Sequence, residues 1–143
     1  AQQHIDAADR AHKAGKKMSV IFLLGAGGKK RSQEHAYASA QLASAMNPHF
    51  LSALTLTIVP ETPIYKMARR GKFELPEKKA LLQELHTFIK HAQPTRSIFR
   101  TNHASNYLPI AGTLPQDKHQ MLQVIGMALG GDIPLRPEWR RGL

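Results

Sequence analysis

The chain contains no cysteine. Disulfides, thiolate metal ligands and cysteine nucleophiles are therefore excluded together. Aromatic residues make up only 6% of the chain, which leaves few rings for stacking on nucleobases. No uninterrupted apolar run approaches the roughly 18 residues of a membrane span. The opening residues Ala1–Arg10 are polar and helix-forming, without the apolar centre of a signal peptide. A cytoplasmic address is the expectation from these absences. Two catalytic signatures are also missing: there is no HExxH metal motif and no GxSxG elbow. His86 and His91 fall on one predicted helix but five positions apart, hence on different faces.

Acidic residues are few as well. Ten Asp and Glu stand against twenty Lys and Arg, giving a formal charge of +10. The cations form short clusters: Lys13, Lys16 and Lys17; Lys29, Lys30 and Arg31; Arg69, Arg70 and Lys72; Arg140 and Arg141. Solvated helix ends explain such clusters, because cations favour helix C-termini. A phosphate-bearing partner such as RNA explains them too. The scarce aromatics form no stacking series among these clusters, which speaks against a nucleic-acid partner.

What remains is the composition of an ordinary folded domain, 42% hydrophobic over 143 residues. A helix is expected from Gln2 to Ala14, with Ile5, Ala8 and Ala11 on one face and Gly15 beyond its end. Met18–Leu24 is a short apolar run with β-branched residues, the pattern of a strand buried on both faces. After a glycine-rich turn, Ser32 is the expected cap of a helix reaching about Met46. Phe50–Val59 reads as a second strand, ended by Pro60. A short helix over Ile64–Arg70 follows. The apolar stripe Leu81, Leu82, Leu85, Phe88 and Ile89 then marks a helix from Glu77 to Ala92. Ser97–Arg100 reads as a third strand and Thr101–Asp117 as a polar loop. A last helix is expected from about Gln116 to Leu129. Residues 132–143 carry Pro134 and Pro137 and are expected to be irregular.

The order α-β-α-β-α-β-α, with strand starts about 30 to 45 residues apart, argues for parallel βαβ units. Three parallel strands make a thin sheet, and the chain opens almost inside a helix. The expected fold class is therefore α/β: the C-terminal part of a partial (β/α) barrel over residues 1–131, followed by the tail.

In such barrels the active site lies at the C-terminal ends of the strands. Three segments fall there. In Leu24-Gly25-Ala26-Gly27-Gly28, the glycines allow backbone amides to approach a ligand, or simply make a tight turn. Lys30 stands where the third glycine of a dinucleotide fingerprint would be, and the P-loop spacing is absent. In Val59-Pro60-Glu61-Thr62-Pro63, Glu61 is able to accept a ligand amine or hydroxyl. Thr62 and Pro63 read as a helix cap and first helical residue. In Arg100–Tyr107, nearly every side chain can hydrogen-bond, and His103 is the plausible acid–base group.

At these same segments the chain resembles the radical S-adenosylmethionine superfamily, nearest its Elp3, MiaB and NifB-like branch. The resemblance rests on the glycine turn after Ile21-Phe22-Leu23-Leu24, on Val59-Pro60-Glu61-Thr62-Pro63, on the run Phe99–Lys118, and on the closing IPLRPEWRRGL. It implies a (β/α) barrel in which Gly25, Ala26, Gly27, Gly28, Val59 and Pro60 line the S-adenosylmethionine pocket. It further implies that the loop with Arg100, Asn102, His103, Asn106 and Tyr107 faces substrate. In this superfamily a [4Fe–4S] cluster reduces the sulfonium, and the 5′-deoxyadenosyl radical abstracts a hydrogen from substrate. Two departures stand out. Lys29 replaces the usual glutamate after the last glycine. The C-x-x-x-C-x-x-C motif that holds the cluster is missing. The expectation is a fragment that is not competent alone. It holds no cofactor itself and depends on a missing N-terminal part of the barrel. Its free sheet edge is a further template for self-association.

Overall fold

The computed structural model describes residues 1–141. The elements are α1 (Gln2–Lys13), β1 (Ser19–Leu24), α2 (Gly28–Met46), β2 (Phe50–Thr55), α3 (Pro63–Arg69), α4 (Lys78–His91), β3 (Ser97–Arg100), β4 (Ala111–Leu114) and α5 (Lys118–Gly130), followed by a short 3-10 turn at Glu138–Arg140. The tail thus holds one turn of regular structure that the proline argument did not anticipate; Gly142 and Leu143 lie outside the described residues.

The protein is α/β, with one open sheet in the order β1-β2-β3-β4. β1, β2 and β3 are mutually parallel, with Ser19 beside Phe50 and Phe50 beside Ile98. The fourth strand corrects the expectation of three: Ala111–Leu114 runs antiparallel to β3, Leu114 beside Ser97. This stretch is AGTL, too short and too small in its side chains to register as alternation. The ten-residue connection from β3 lets it return alongside its neighbour, which a parallel crossover could not do in that length.

β2 also stops at Thr55 rather than Val59. Its neighbour β3 has already ended at Arg100, opposite Ser52, so residues past Thr55 have no strand on that side. On the other side the Leu56 amide still donates to the Leu24 carbonyl.

The two faces of the sheet differ. Leu24, Leu51, Ala53, Phe99 and Leu114 point into the core formed with Ala40 and Ala43 of α2, Leu81, Leu85, Phe88 and Ile89 of α4, and Met121 and Ile125 of α5. Phe88 anchors this core, tilted against Phe22 and Phe99 at centroid distances of 5.3 and 6.0 Å. The opposite face is open: Ile21 is 62% exposed, Phe50 and Ile98 each 41%, and Leu23 39%. The apolar run of β1 is therefore buried on one face only, against the expectation of two.

Ends of helices follow local chemistry. Gly15, Gly71 and Gly131 take positive φ beyond α1, α3 and α5, a conformation glycine adopts without penalty. Thr62 caps α3 by accepting the Tyr65 amide, with Pro63 as first helical residue. α2 begins at Gly28, earlier than the expected cap at Ser32, and is kinked at Arg31. α1 packs on α2 with Ala8 buried, and the His12 ring nitrogen Nε2 lies 3.0 Å from the Met46 carbonyl.

Candidate functional site

Three parallel strands end at one pole, where the glycine turn, the Val59–Pro60 turn and the loop after β3 begin. α4 descends from this pole to the start of β3, so its N-terminal half also lies here.

The glycine turn is held from below by Glu84, a residue that sequence reasoning missed. Its side chain on α4 is fully buried. One carboxylate oxygen accepts the Gly25 amide at 3.0 Å and lies 2.9 Å from His35 Nδ1; the other accepts the Ser32 hydroxyl at 2.6 Å. An acceptor-only carboxylate with three donors is well satisfied despite its burial. Ser32 is thus a donor to Glu84, not a helix cap. A signal existed in the sequence: Glu84 sits three after Leu81 and four before Phe88, inside the apolar stripe of α4.

The glycines of this turn are required by the protein's own packing. A Cβ on Gly27 would lie 2.6 Å from the His35 Cβ and 2.9 Å from the Arg31 carbonyl oxygen. Gly28 has φ +67° and would crowd Phe73. The amides of Gly28 and Lys29 are already engaged by the carbonyls of Gly25 and Glu74. Gly25 and Gly28 are buried, while Ala26 is exposed and Gly27 half-buried. Beside the turn lies a groove of about 210 Å³ lined by Gly27–Arg31 and Gly71–Glu74. Lys29 pairs with Glu74 across it at 2.8 Å, and this hydrogen bond raises the lysine pKa. Val59 and Pro60 stand on an exposed turn past the end of β2, with Glu61 at φ 65°.

The loop after β3 splits in two. Asn102 and His103 form an exposed tip. Asn106 and Tyr107 are buried and do structural work. The Asn106 side-chain amide donates from Nδ2 to the carbonyls of Ala53 and Thr101, and its Oδ1 accepts the Thr55 hydroxyl. The Ser105 hydroxyl accepts the Thr55 amide. These bonds tie the loop to the end of β2. Tyr107 lies over a small gap lined by Leu24, Leu81, Leu82 and Leu85. Its hydroxyl donates to Glu138 at 2.6 Å and accepts from Arg141 at 2.5 Å. Burial, then the bond to Glu138, pushes the Tyr107 hydroxyl up to about 12. The same bond, with Arg141, holds the Glu138 carboxyl below its usual range.

Arg100 is placed elsewhere. It stands exposed on the open face of the sheet between Ser52 and Ala111. Of the five loop residues singled out from the sequence, Arg100, Asn102 and His103 remain accessible to a ligand. A depression of about 400 Å³ lies away from the strand ends, among Gln33, Gln83, His86, Thr87, Gly126 and Leu129 on the helices. Among the described residues no group of three or more His, Asp and Glu is arranged to hold a metal ion, and no helix is long and apolar enough to cross a membrane.

No family model, no curated protein and no solved structure matches the chain.

Proposed function

We propose that this chain is the C-terminal part of a radical S-adenosylmethionine enzyme, a section of a (β/α) barrel that supplies part of the cofactor pocket and of the substrate wall. The observation that carries the barrel reading is the sidedness of the sheet: helices on one face, and on the other an exposed face with Ile21, Leu23, Phe50 and Ile98 and, at the strand ends, Arg100. In a (β/α) barrel the strands turn such a face inward and pack it against the remaining strands. The enzyme class rests on the motif resemblance.

The occupant of the open face follows from size and charge. Two strands of six residues and two of four, rising about 3.3 Å per residue and lying about 4.8 Å apart, present roughly 300 Å². A stable pair of proteins buries about 800 Å² on each side. Face-to-face pairing of two copies falls short of that, and two chains of +10 repel. Further parallel strands added at β1, one of the two edges of the sheet, would pair that edge and, on curling round as a barrel does, close over the face.

The residues present fit the two groups of such an enzyme unequally. With no cysteine the chain does not fit a [4Fe–4S] cluster, and no step is derived through it. The glycine turn fits S-adenosylmethionine in a narrower form than the motif implies. The amides of Gly25, Gly28 and Lys29 are already bonded, so backbone contact falls to the accessible Ala26 and Gly27. Substrate contact falls to Arg100, Asn102 and His103. The test is the coding sequence upstream of Ala1. A C-x-x-x-C-x-x-C motif in frame, and cleavage of S-adenosylmethionine by the longer reconstituted product, are expected. A longer frame without the motif would sink the reading.

A second reading, a binding module for RNA or another phosphate-bearing partner in the cytoplasm, draws on the +10 charge and on one structural observation. Trp139 is 78% exposed, with the Arg140 guanidinium 4.7 Å from its ring centroid. RNA affinity that falls steeply with salt would favour it, and weak, salt-insensitive binding would count against it.

A further inference from the structure

We propose that the tail from Arg136 to Arg141 is a strap that sets the shape of the loop after β3, with Arg136 and Arg141 as positioning residues for His103. Its consequence for a substrate rests on the substrate-wall reading above; the strap itself does not.

The loop from Asn102 to Tyr107 has no strand partner, so its carbonyls need acceptor bonds filled from elsewhere. The tail fills them in succession. Arg136 Nη1 donates to the carbonyls of His103 at 2.9 Å and Asn106 at 3.1 Å. The Arg136 amide donates to the Tyr107 carbonyl at 2.8 Å. Arg141 Nε donates to the Ser105 carbonyl at 3.0 Å, and its Nη1 bridges the Tyr107 hydroxyl and Glu138. Within the loop itself the Asn106 backbone N–H donates to the His103 carbonyl at 3.1 Å. The Arg141 side chain is only 7% exposed and its guanidinium lies 4.1 Å from the Tyr107 ring centroid. Arg141 is therefore packed into the loop and not merely paired at the surface.

The strap fixes a chemical property of the tip. His103 Nδ1 accepts the Ser105 amide at 3.1 Å, and the Ser105 hydroxyl stands 2.9 Å from the same nitrogen. That hydroxyl is held in turn by the Thr55 amide. A backbone amide is always a donor, so the neutral ring carries its proton on Nε2. His103 then stands at the pole of the strand ends as an exposed N–H donor of set tautomer. Arg136, bonded to the carbonyl of His103 itself, holds the backbone that makes this geometry.

Ring nitrogen NMR of the histidines and amide exchange of the loop test the strap in the full chain. In Arg136→Ala, the His103 ring signals should move toward those of averaged tautomers. Exchange at Ser105 and Asn106 should quicken about tenfold, the scale of one lost charge-assisted bond. The remaining histidines and the amides of β1 and β2 should hold. Arg136→Lys should restore part of the His103 signal. Arg141→Ala, which leaves Arg136 in place, should quicken exchange at Tyr107 and disturb His103 less. It also serves as the reporter if Arg136→Ala does not fold. An unchanged His103 ring in Arg136→Ala, an equal disturbance of His103 in both variants, or exchange rising equally in β1 and β2 would overturn the proposal. A longer reading frame without the cysteine motif would remove the enzyme reading and leave these measurements as they stand.

Discussion

The two faces of one sheet carry similar residues and have opposite fates. Leu51, Ala53 and Phe99 are fully buried beneath helices, while their strand neighbours Phe50 and Ile98 are each 41% exposed. Hydrophobicity alone does not decide which face is covered. The stripes of α2, α4 and α5 do, since all three close on the same side. The open face is therefore an apolar surface held in place by a core that does not need it.

The largest effect should come from the covered face. Phe99→Ala removes a ring packed on Phe88 and should cost about 3–5 kcal/mol by chemical denaturation. Phe50→Ser, one strand over and on the open face, should stay within about 0.5 kcal/mol in the 143-residue chain. Comparable losses at both positions would mean that the open face is covered in solution. The same Phe50 substitution in a longer gene product should become costly if further strands close over it.

A second contrast lies between the glycine turn, held by a buried carboxylate, and the loop after β3, held by the tail. Glu84→Leu leaves the Gly25 amide, Ser32 and His35 without their acceptor, and should cost about 2–4 kcal/mol. Glu84→Gln, which keeps an acceptor for Gly25, should cost distinctly less in the same denaturation experiment. Equal costs would mean that burial of the side chain matters more than its bonds.

The loop should respond to pH at both ends of the scale, and less strongly than the turn responds to loss of Glu84. Tyr107 has its pKa raised to about 12 from 10.0. A group raised in this way contributes stability that is complete below its unfolded value. The contribution is lost as pH climbs from about 10 toward about 12. Tyr107→Phe should flatten the alkaline limb of a pH–melting curve, and an unaltered limb would rule out this assignment. Glu138 is shifted the other way. Its contribution is present above the unfolded value of 4.5 and fades as pH falls through the lower folded value. Because this carboxylate is exposed, the smallest effect is expected here: protection of the Ser105–Tyr107 amides, taken relative to intrinsic exchange at each pH, should fall at acid pH, and Glu138→Gln should remove that dependence.

Much of the scaffold is legible in the sequence. The stripe of α4 is the core stripe, the Thr62–Pro63 cap forms as its chemistry requires, and three of the strands pair in parallel. The site was less legible. Asn106 and Tyr107 looked like ligand contacts because polar residues after a strand often are. Whether a polar side chain faces a ligand or fills its own protein's needs depends on partners fifty residues away, such as Thr55 and Ala53. The prolines of the tail predict irregular backbone and say nothing of its contacts, yet two of its arginines complete the loop.

By itself, then, the sequence determined the alternation of strands and helices, the places where chain direction changes, and the absence of any thiolate ligand. These follow from periodicity, glycine and proline stereochemistry, and simple inventory. Only the tertiary structure decided that AGTL would return antiparallel, that Glu84 would hold the glycine turn, and that one sheet face would stay open. Each of these depends on contacts between segments far apart in sequence; the local pattern marks Glu84 as a carboxylate within an apolar stripe but does not name the partners it meets.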